Sequence, residues 1–80
     1  MLTKYIQAAM RRAKYEILSD KTYYGEIPGF QGVWASEETL EECRADLQEV
    51  LEEWILLQLR DNQDLPEVEG ITLSPRALEA

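Results

Sequence analysis

Three observations predict an α+β fold for this chain of 80 residues. Short segments of alternating polar and apolar residues occur between residues 14 and 35, separated by turn residues. One helical pattern of apolar residues precedes these segments, and a longer one follows them. The length suits one small domain. The sequence therefore predicts a two-layer domain with a short N-terminal helix, a three-stranded antiparallel meander, a long amphipathic helix and a short final strand.

The first helix is predicted over residues 2–13. Its apolar residues recur every three or four positions, as on one face of a helix: Leu2, Ile6, Ala9 and Ala13. Tyr5 and Met10 widen this face. Arg11 and Arg12 lie in the last turn, where cationic side chains interact favourably with the helix dipole.

Three strands are predicted to follow as a meander. Residues 14–18 and 22–27 both alternate, and the polar residues between them predict a hairpin. Pro28-Gly29 then indicates a turn, because proline fixes φ and glycine accepts a positive φ. Residues 32–35 form the third predicted strand.

The long helix begins at a capping box, in which Thr39 is followed three residues later by Glu42. Its core face is predicted to carry Leu40, Cys43, Leu47, Val50, Trp54 and Leu57. A second apolar stripe follows beyond residue 50: Leu51, Ile55, Leu56 and Leu59. Because one small sheet cannot cover both faces, we expect the second stripe to form the interface of a homo-oligomer, a dimer or a tetramer.

The C-terminal part of the sequence alternates more weakly. After Arg60 the helix ends, and Pro66 prevents its continuation. Residues 67–73 predict a final strand, at the edge of the sheet. The domain spans residues 1–80, with a core of about 14–73 and a loose tail over 74–80.

The net charge of −8 is distributed unevenly. Residues 1–22 carry five bases and two acids, a balance of +3, whereas residues 23–80 carry three bases and fourteen acids, a balance of −11. Acidic surfaces disfavour nucleic acid and suit a basic partner, although the same charge also serves solubility. No apolar run is long enough to span a membrane, and a single cysteine fits the reducing cytoplasm.

Few residues have side chains suited to catalysis, cofactor binding or metal binding. The chain has no histidine, and Cys43 lies on the predicted core face of the helix, so we expect no catalytic, cofactor-binding or metal-binding residues. Most acids fall on the polar side of one helix. Only Glu16 and Glu26 lie on predicted strands, and a two-metal nuclease needs acids that converge from different elements.

Tyr24 and Trp34 are the most informative aromatic residues. The strand alternation places them on the sheet face opposite Tyr23 and Val33. If the long helix covers that other face, both rings remain available as anchors of an interface. The alternative is that the N-terminal helix folds over them as ordinary core, and the sequence leaves both interpretations open.

The segment YYGEIPGFQGVWASEETLEEC (23–43), with the amphipathic helix that follows it, resembles the HicB antitoxin family. The shared features are Tyr23, Gly25, Ile27-Pro28, Gly32-Val33 and the run Thr39 to Glu42. The resemblance covers about residues 14–73. It implies a partly RNase-H-like domain without nuclease chemistry, and a homo-oligomer that neutralises a small basic mRNA-cleaving toxin, HicA.

The chain also departs from the HicB pattern. The helix over residues 2–13 is additional, and we expect no DNA-binding module beyond the last strand and so no direct DNA binding. We expect a non-enzymatic antitoxin-type domain that occludes the active site of a basic toxin, with Tyr24, Trp34, Glu49 and Glu52 on the partner surface. The alternatives are a HicB-like oligomeric interaction module with a non-toxin partner, and a residual nuclease.

Overall fold

The computed structural model describes residues 2–72. Its elements follow the predicted α+β order: α1 (Leu2–Arg11), β1 (Lys14–Ile17), β2 (Tyr23–Glu26), β3 (Trp34–Glu37) and α2 (Leu40–Arg60). The three strands form one antiparallel sheet in the order β1-β2-β3. The predicted fold class, with its helix, meander and long helix, is confirmed. No helix within residues 2–72 is long and apolar enough to cross a membrane.

The third strand begins two residues later than the sequence predicts. Two successive turns occupy the β2–β3 connection, in which the Phe30 amide donates to the Ile27 carbonyl and the Val33 amide to the Phe30 carbonyl, both at 3.1 Å. Gly29 and Gly32 both adopt φ 88° in these turns. Val33 therefore still belongs to the loop, although its side chain is buried.

Helix α2 begins where the capping box predicts. The Thr39 hydroxyl oxygen accepts a hydrogen bond from the Glu42 amide at 3.1 Å and donates one to the Glu42 carboxylate at 3.0 Å. The helix ends at Arg60, after which Asn62 turns into the left-handed region with φ 58°. The N-cap and both helix ends follow from local sequence alone.

The buried face of α2 differs from the predicted one. Its members are spaced by four throughout: Cys43, Leu47, Leu51 and Ile55. Each step of four residues turns the helix by about 40° beyond a full circle, so the buried face rotates along α2. Helix α2 packs on β2, β3 and α1. Leu40 and Leu57 of the predicted face are exposed.

The buried face of helix α1 differs from the predicted one, because Leu2 is exposed and Ile6 is only half-buried. The buried members of α1 are Tyr5, Ala8, Ala9 and Met10. Phe30 lies between two aromatic rings, with its centroid 6.3 Å from that of Tyr5 and 5.1 Å from that of Trp54. This aromatic cluster joins α1, the β2–β3 loop and α2 into one core.

Within residues 67–72, the part of the predicted final strand (67–73) that the structure describes, no sheet strand forms. Val68 and Ile71 form an isolated antiparallel bridge around a two-residue turn, whose residues Glu69 and Gly70 have φ 49° and 78°. This hairpin packs on the core through the fully buried Val68, and does not join the sheet. The predicted loose tail over 74–80 lies outside the described residues.

The C-terminal hairpin is attached to α1 by two polar contacts. The Tyr5 hydroxyl donates a hydrogen bond to the Pro66 carbonyl, and Arg11 binds the Glu69 carboxylate at 2.7 Å. Burial raises the pKa of Tyr5 to about 12, so its hydroxyl stays a donor throughout the physiological range. These contacts hold the hairpin against α1, although the hairpin does not pair with any strand of the sheet.

Candidate functional site

The sheet has one face that packs on α2 and one that does not. Gly25 of β2 and Ala35 of β3 are buried on the inner face. The face on the other side of the sheet, called the outer face here, carries Lys14, Glu16, Tyr24, Glu26, Trp34 and Ser36. Five of these six residues are exposed, and Tyr24 is half-buried. The outer face is therefore open to a partner.

Tyr24 and Trp34 form the apolar centre of the outer face. Their rings stack with centroids 6.1 Å apart and an interplanar angle of 27°. Trp34 keeps 54% of its surface exposed. The register explains the stack, because Glu26 lies opposite Trp34 and Tyr24 is two residues away on the neighbouring strand. The Trp34 ring reaches this diagonal neighbour across the sheet.

Carboxylates border the aromatic pair. In the sheet register Glu16 lies opposite Tyr24, and Glu26 lies opposite both Lys14 and Trp34. Burial and the nearby negative charges of Glu26 and Glu16 raise the pKa of Tyr24, which stays neutral. A depression of about 340 Å³ lies along this side of the stack and is lined by Lys14, Tyr15, Glu16, Tyr24, Glu26 and Pro28.

The structure tests one of the two interpretations of Tyr24 and Trp34, that the N-terminal helix covers them. Helix α1 packs on α2, on the inner side of the sheet, and leaves Trp34 exposed. Tyr5, which belongs to the buried face of α1, contacts Phe30 and the C-terminal hairpin instead. The alternative in which the N-terminal helix folds over the two aromatics is therefore wrong for the isolated chain.

The predicted oligomer interface on α2 needs correction. Leu51 and Ile55 are only 0% and 1% exposed within the single chain, where they belong to one core cluster with Tyr5 of α1. Leu59 is half-buried, and Leu56 is 64% exposed. The core of one chain thus buries two of the residues that the sequence assigned to contact with a second subunit. Of the four predicted residues, Leu56 alone remains largely free.

Glu49 and Glu52 lie on a different part of the molecule from the aromatic pair. Both belong to α2, which packs on the inner face of the sheet. Glu49 is exposed, whereas Glu52 is half-buried and accepts a hydrogen bond from Gln48 at 3.0 Å. The structure therefore brings Tyr24 and Trp34 together but does not bring the two glutamates to them.

Glu16 and Glu26 are the acids that sequence analysis noted without assigning them to the partner surface. The alternation of β1 and β2 could have placed them on the outer face. Glu26 lies two residues from Tyr24 on β2, so both side chains point to the same face, and Glu16 of β1 lies opposite Tyr24. The missing information was the register between the strands. With that register, the outer face combines aromatic rings with carboxylates.

Cys43 is fully buried, and its thiol donates a weak hydrogen bond to the Ala35 carbonyl at 3.5 Å. Burial, with Glu37 and Asp46 nearby, raises the pKa of this thiol, which disfavours the reactive thiolate. Across residues 2–72, no group of three or more His, Cys, Asp or Glu side chains is placed to hold a metal ion. The thiol belongs to the core rather than to a reactive site.

The geometry describes a small α+β domain with an open aromatic and acidic sheet face. The chain belongs to the UPF0150-like family, whose model matches residues 4–66. It is also similar to TTHA0281 from Thermus thermophilus, a solved crystal structure, with 43% sequence identity and a TM-score of 0.86. That similarity covers 91% of this chain and 91% of the other. No curated protein matches the chain.

Proposed function

We propose that this protein is a HicB-like, antitoxin-type binding domain that neutralises a small basic RNA-cleaving protein by covering its active site. Membership of the UPF0150-like family, a family of small antitoxin-like domains, supports the general class. The observation that carries the proposal further is the uncovered Tyr24–Trp34 stack with Glu16 and Glu26 beside it. Large exposed aromatics of this kind anchor interfaces, and the carboxylates favour a cationic partner.

The charge distribution supports the same class of partner. The excess of acids in residues 23–80 gives much of the molecule a negative potential, which attracts basic proteins over several ångströms. In the proposed complex, the outer face makes the contact, while exposed α2 acids such as Glu49 accelerate the encounter. We further propose that the protein acts in the cytoplasm as a homo-oligomer and performs no catalysis itself.

The test begins by establishing whether the reading frame next to this one encodes a small basic protein, because the absence of such a frame would favour the interaction module with a non-toxin partner. The two proteins are mixed, their complex is measured by size-exclusion chromatography with light scattering, and cleavage of an RNA substrate is followed during titration. We expect a stable complex and a loss of cleavage that is complete at the stoichiometric ratio. Binding without loss of cleavage would instead favour an interaction module, and an absence of binding would contradict the proposal.

Association kinetics separate the roles of the aromatic pair and the remote acids. Charge reversal at Glu49 should slow association and flatten its salt dependence, because surface charges act mainly on the encounter. Trp34→Ala should instead accelerate dissociation, because it removes a desolvated contact. Leu56→Ala is the matched control, since Leu56 is comparably exposed but lies on α2. If Glu49 and Trp34 variants change the same rate constant, the division of roles is wrong.

A further inference from the structure

The edge strand β1 is exposed, and the proposed partner contact on the outer face does not explain its exposure. β1 lies at one edge of the sheet, and all four of its residues are exposed. α2 packs on β2 and β3, so even the inward-facing Ile17 keeps 65% of its surface exposed. Such an edge presents unpaired backbone groups, which readily pair with another strand.

Within residues 2–72, the hydrogen-bond pattern identifies which backbone groups of β1 have no partner. The Leu18 amide donates to the Thr22 carbonyl at 2.8 Å, which marks this pair as hydrogen-bonded. In an antiparallel ladder such pairs alternate, so Glu16 and Lys14 direct their backbone groups toward β2. The N–H and C=O groups of Tyr15 and Ile17 therefore point away from the sheet.

The charges on β1 are self-complementary. Lys14 and Glu16 lie two residues apart on the outer face. If two β1 strands pair antiparallel with Tyr15 opposite Tyr15, each Lys14 faces Glu16 of the second copy. A shift of the partner by two residues would bring Glu16 opposite Glu16 in one direction, or Lys14 opposite Lys14 in the other. Of these three registers, charge favours the one centred on Tyr15. β3, the other edge, carries no base.

We infer that the β1 edge is the homodimer interface, with the second copy of this chain paired antiparallel about Tyr15. The three strands of each copy then form one continuous sheet of six. Tyr15 pairs through its free backbone groups, which leaves Lys14 and Glu16 at the closely spaced positions. The two-fold axis is perpendicular to the sheet, so both Tyr24–Trp34 stacks face the same side.

This inference rests on the proposed self-association and assigns a surface to it. It replaces the α2 stripe, of which Leu51 and Ile55 are buried within the single chain. The edge remains available when a basic partner occupies the outer face, because backbone pairing lies in the plane of the sheet. One dimer would therefore present two partner sites on one surface.

Charge exchange at positions 14 and 16 tests the register. Lys14→Glu and Glu16→Lys each place like charges opposite one another at two symmetric positions. Each single variant should raise the dimer dissociation constant by about tenfold or more in sedimentation equilibrium. The double variant K14E/E16K restores opposite charges and should return the constant to within about threefold of the wild type.

The double variant also controls for effects inside the chain. K14E and K14E/E16K both put a carboxylate opposite Glu26, so a difference between them reports the contact between copies. Lys21→Glu makes the same charge change in an exposed turn and should leave the constant unchanged. Circular dichroism confirms that each variant folds.

The remaining outcomes distinguish the two proposals. A wild-type chain that sediments as a monomer at all concentrations overturns both self-association and the β1 interface. An oligomeric wild type whose single variants dissociate no more readily, or whose double variant is not rescued, overturns the β1 interface alone.

Discussion

Replacing Leu51 by alanine tests whether the C-terminal half of α2 belongs to the core of one chain. Leu51 is 0% exposed, and the change deletes buried carbon atoms from the core cluster to which α1 and α2 both contribute. Such a deletion costs roughly 2–5 kcal/mol, from lost transfer energy and a residual cavity. The total stability expected for 80 residues is only about 4–12 kcal/mol. The melting temperature should therefore fall by about 10 °C or more.

Leu56→Ala provides the matched control, because it makes the same chemical change on the same helix at a side chain that is 64% exposed. Its cost should stay below about 0.5 kcal/mol. Both variants are compared by thermal and urea unfolding at several protein concentrations. The loss at Leu51 should persist at every concentration, since mass action affects only contacts between subunits. Equally small losses in both variants, or a Leu51 effect that vanishes on dilution, would refute the assignment to the core.

Three further variants test polar contacts by their effects on unfolding. Arg11 lowers the pKa of Glu69 by a hydrogen bond, so the stabilisation is present above the unfolded pKa of about 4.3 and is lost as pH falls through the folded pKa. Glu69→Gln should thus lower the melting temperature at neutral pH but not in acid. A hydrogen bond with Asp46 raises the pKa of Glu37, so this group's contribution is greatest at low pH and declines as pH rises through the folded pKa. Glu37→Gln should therefore raise the neutral melting temperature, with a gain that shrinks below about pH 4; an unchanged or lower value would contradict this. Tyr5→Phe should cost about 1 kcal/mol in urea unfolding, because it leaves a backbone carbonyl without its donor.

Local sequence patterns predicted most of the fold. The Thr39 cap and the alternation through Tyr24 gave correct elements because a cap and a pleat depend on neighbouring residues. The late start of β3 escaped prediction because two consecutive turns absorb Val33, whose apolar side chain resembles a strand residue. The segment around Val68 and Ile71 alternates like a strand, but a turn at Glu69 and Gly70 folds it into a local hairpin instead.

The site was harder to predict than the fold, because it depends on which surfaces cover each other. Two apolar stripes on α2 indicate that something covers both, but periodicity does not show whether Leu51 is covered within the chain or by a second subunit. The same limit applied to Trp34, whose exposure follows from where α1 packs. Strand parity put Tyr24 and Trp34 on one face, and the register then placed Glu16 and Glu26 beside them.

The central claim is that the outer sheet face binds a basic protein through its aromatic stack. Once a small basic protein encoded next to this chain is identified, the most direct measurement is its isothermal titration into the wild-type chain and into Trp34→Ala, with melting temperatures of both chains recorded. We predict that the wild type binds and that the variant binds at least about tenfold more weakly with its fold intact, as for an interface anchor. Equal affinities, or no binding by the wild type, would contradict the claim.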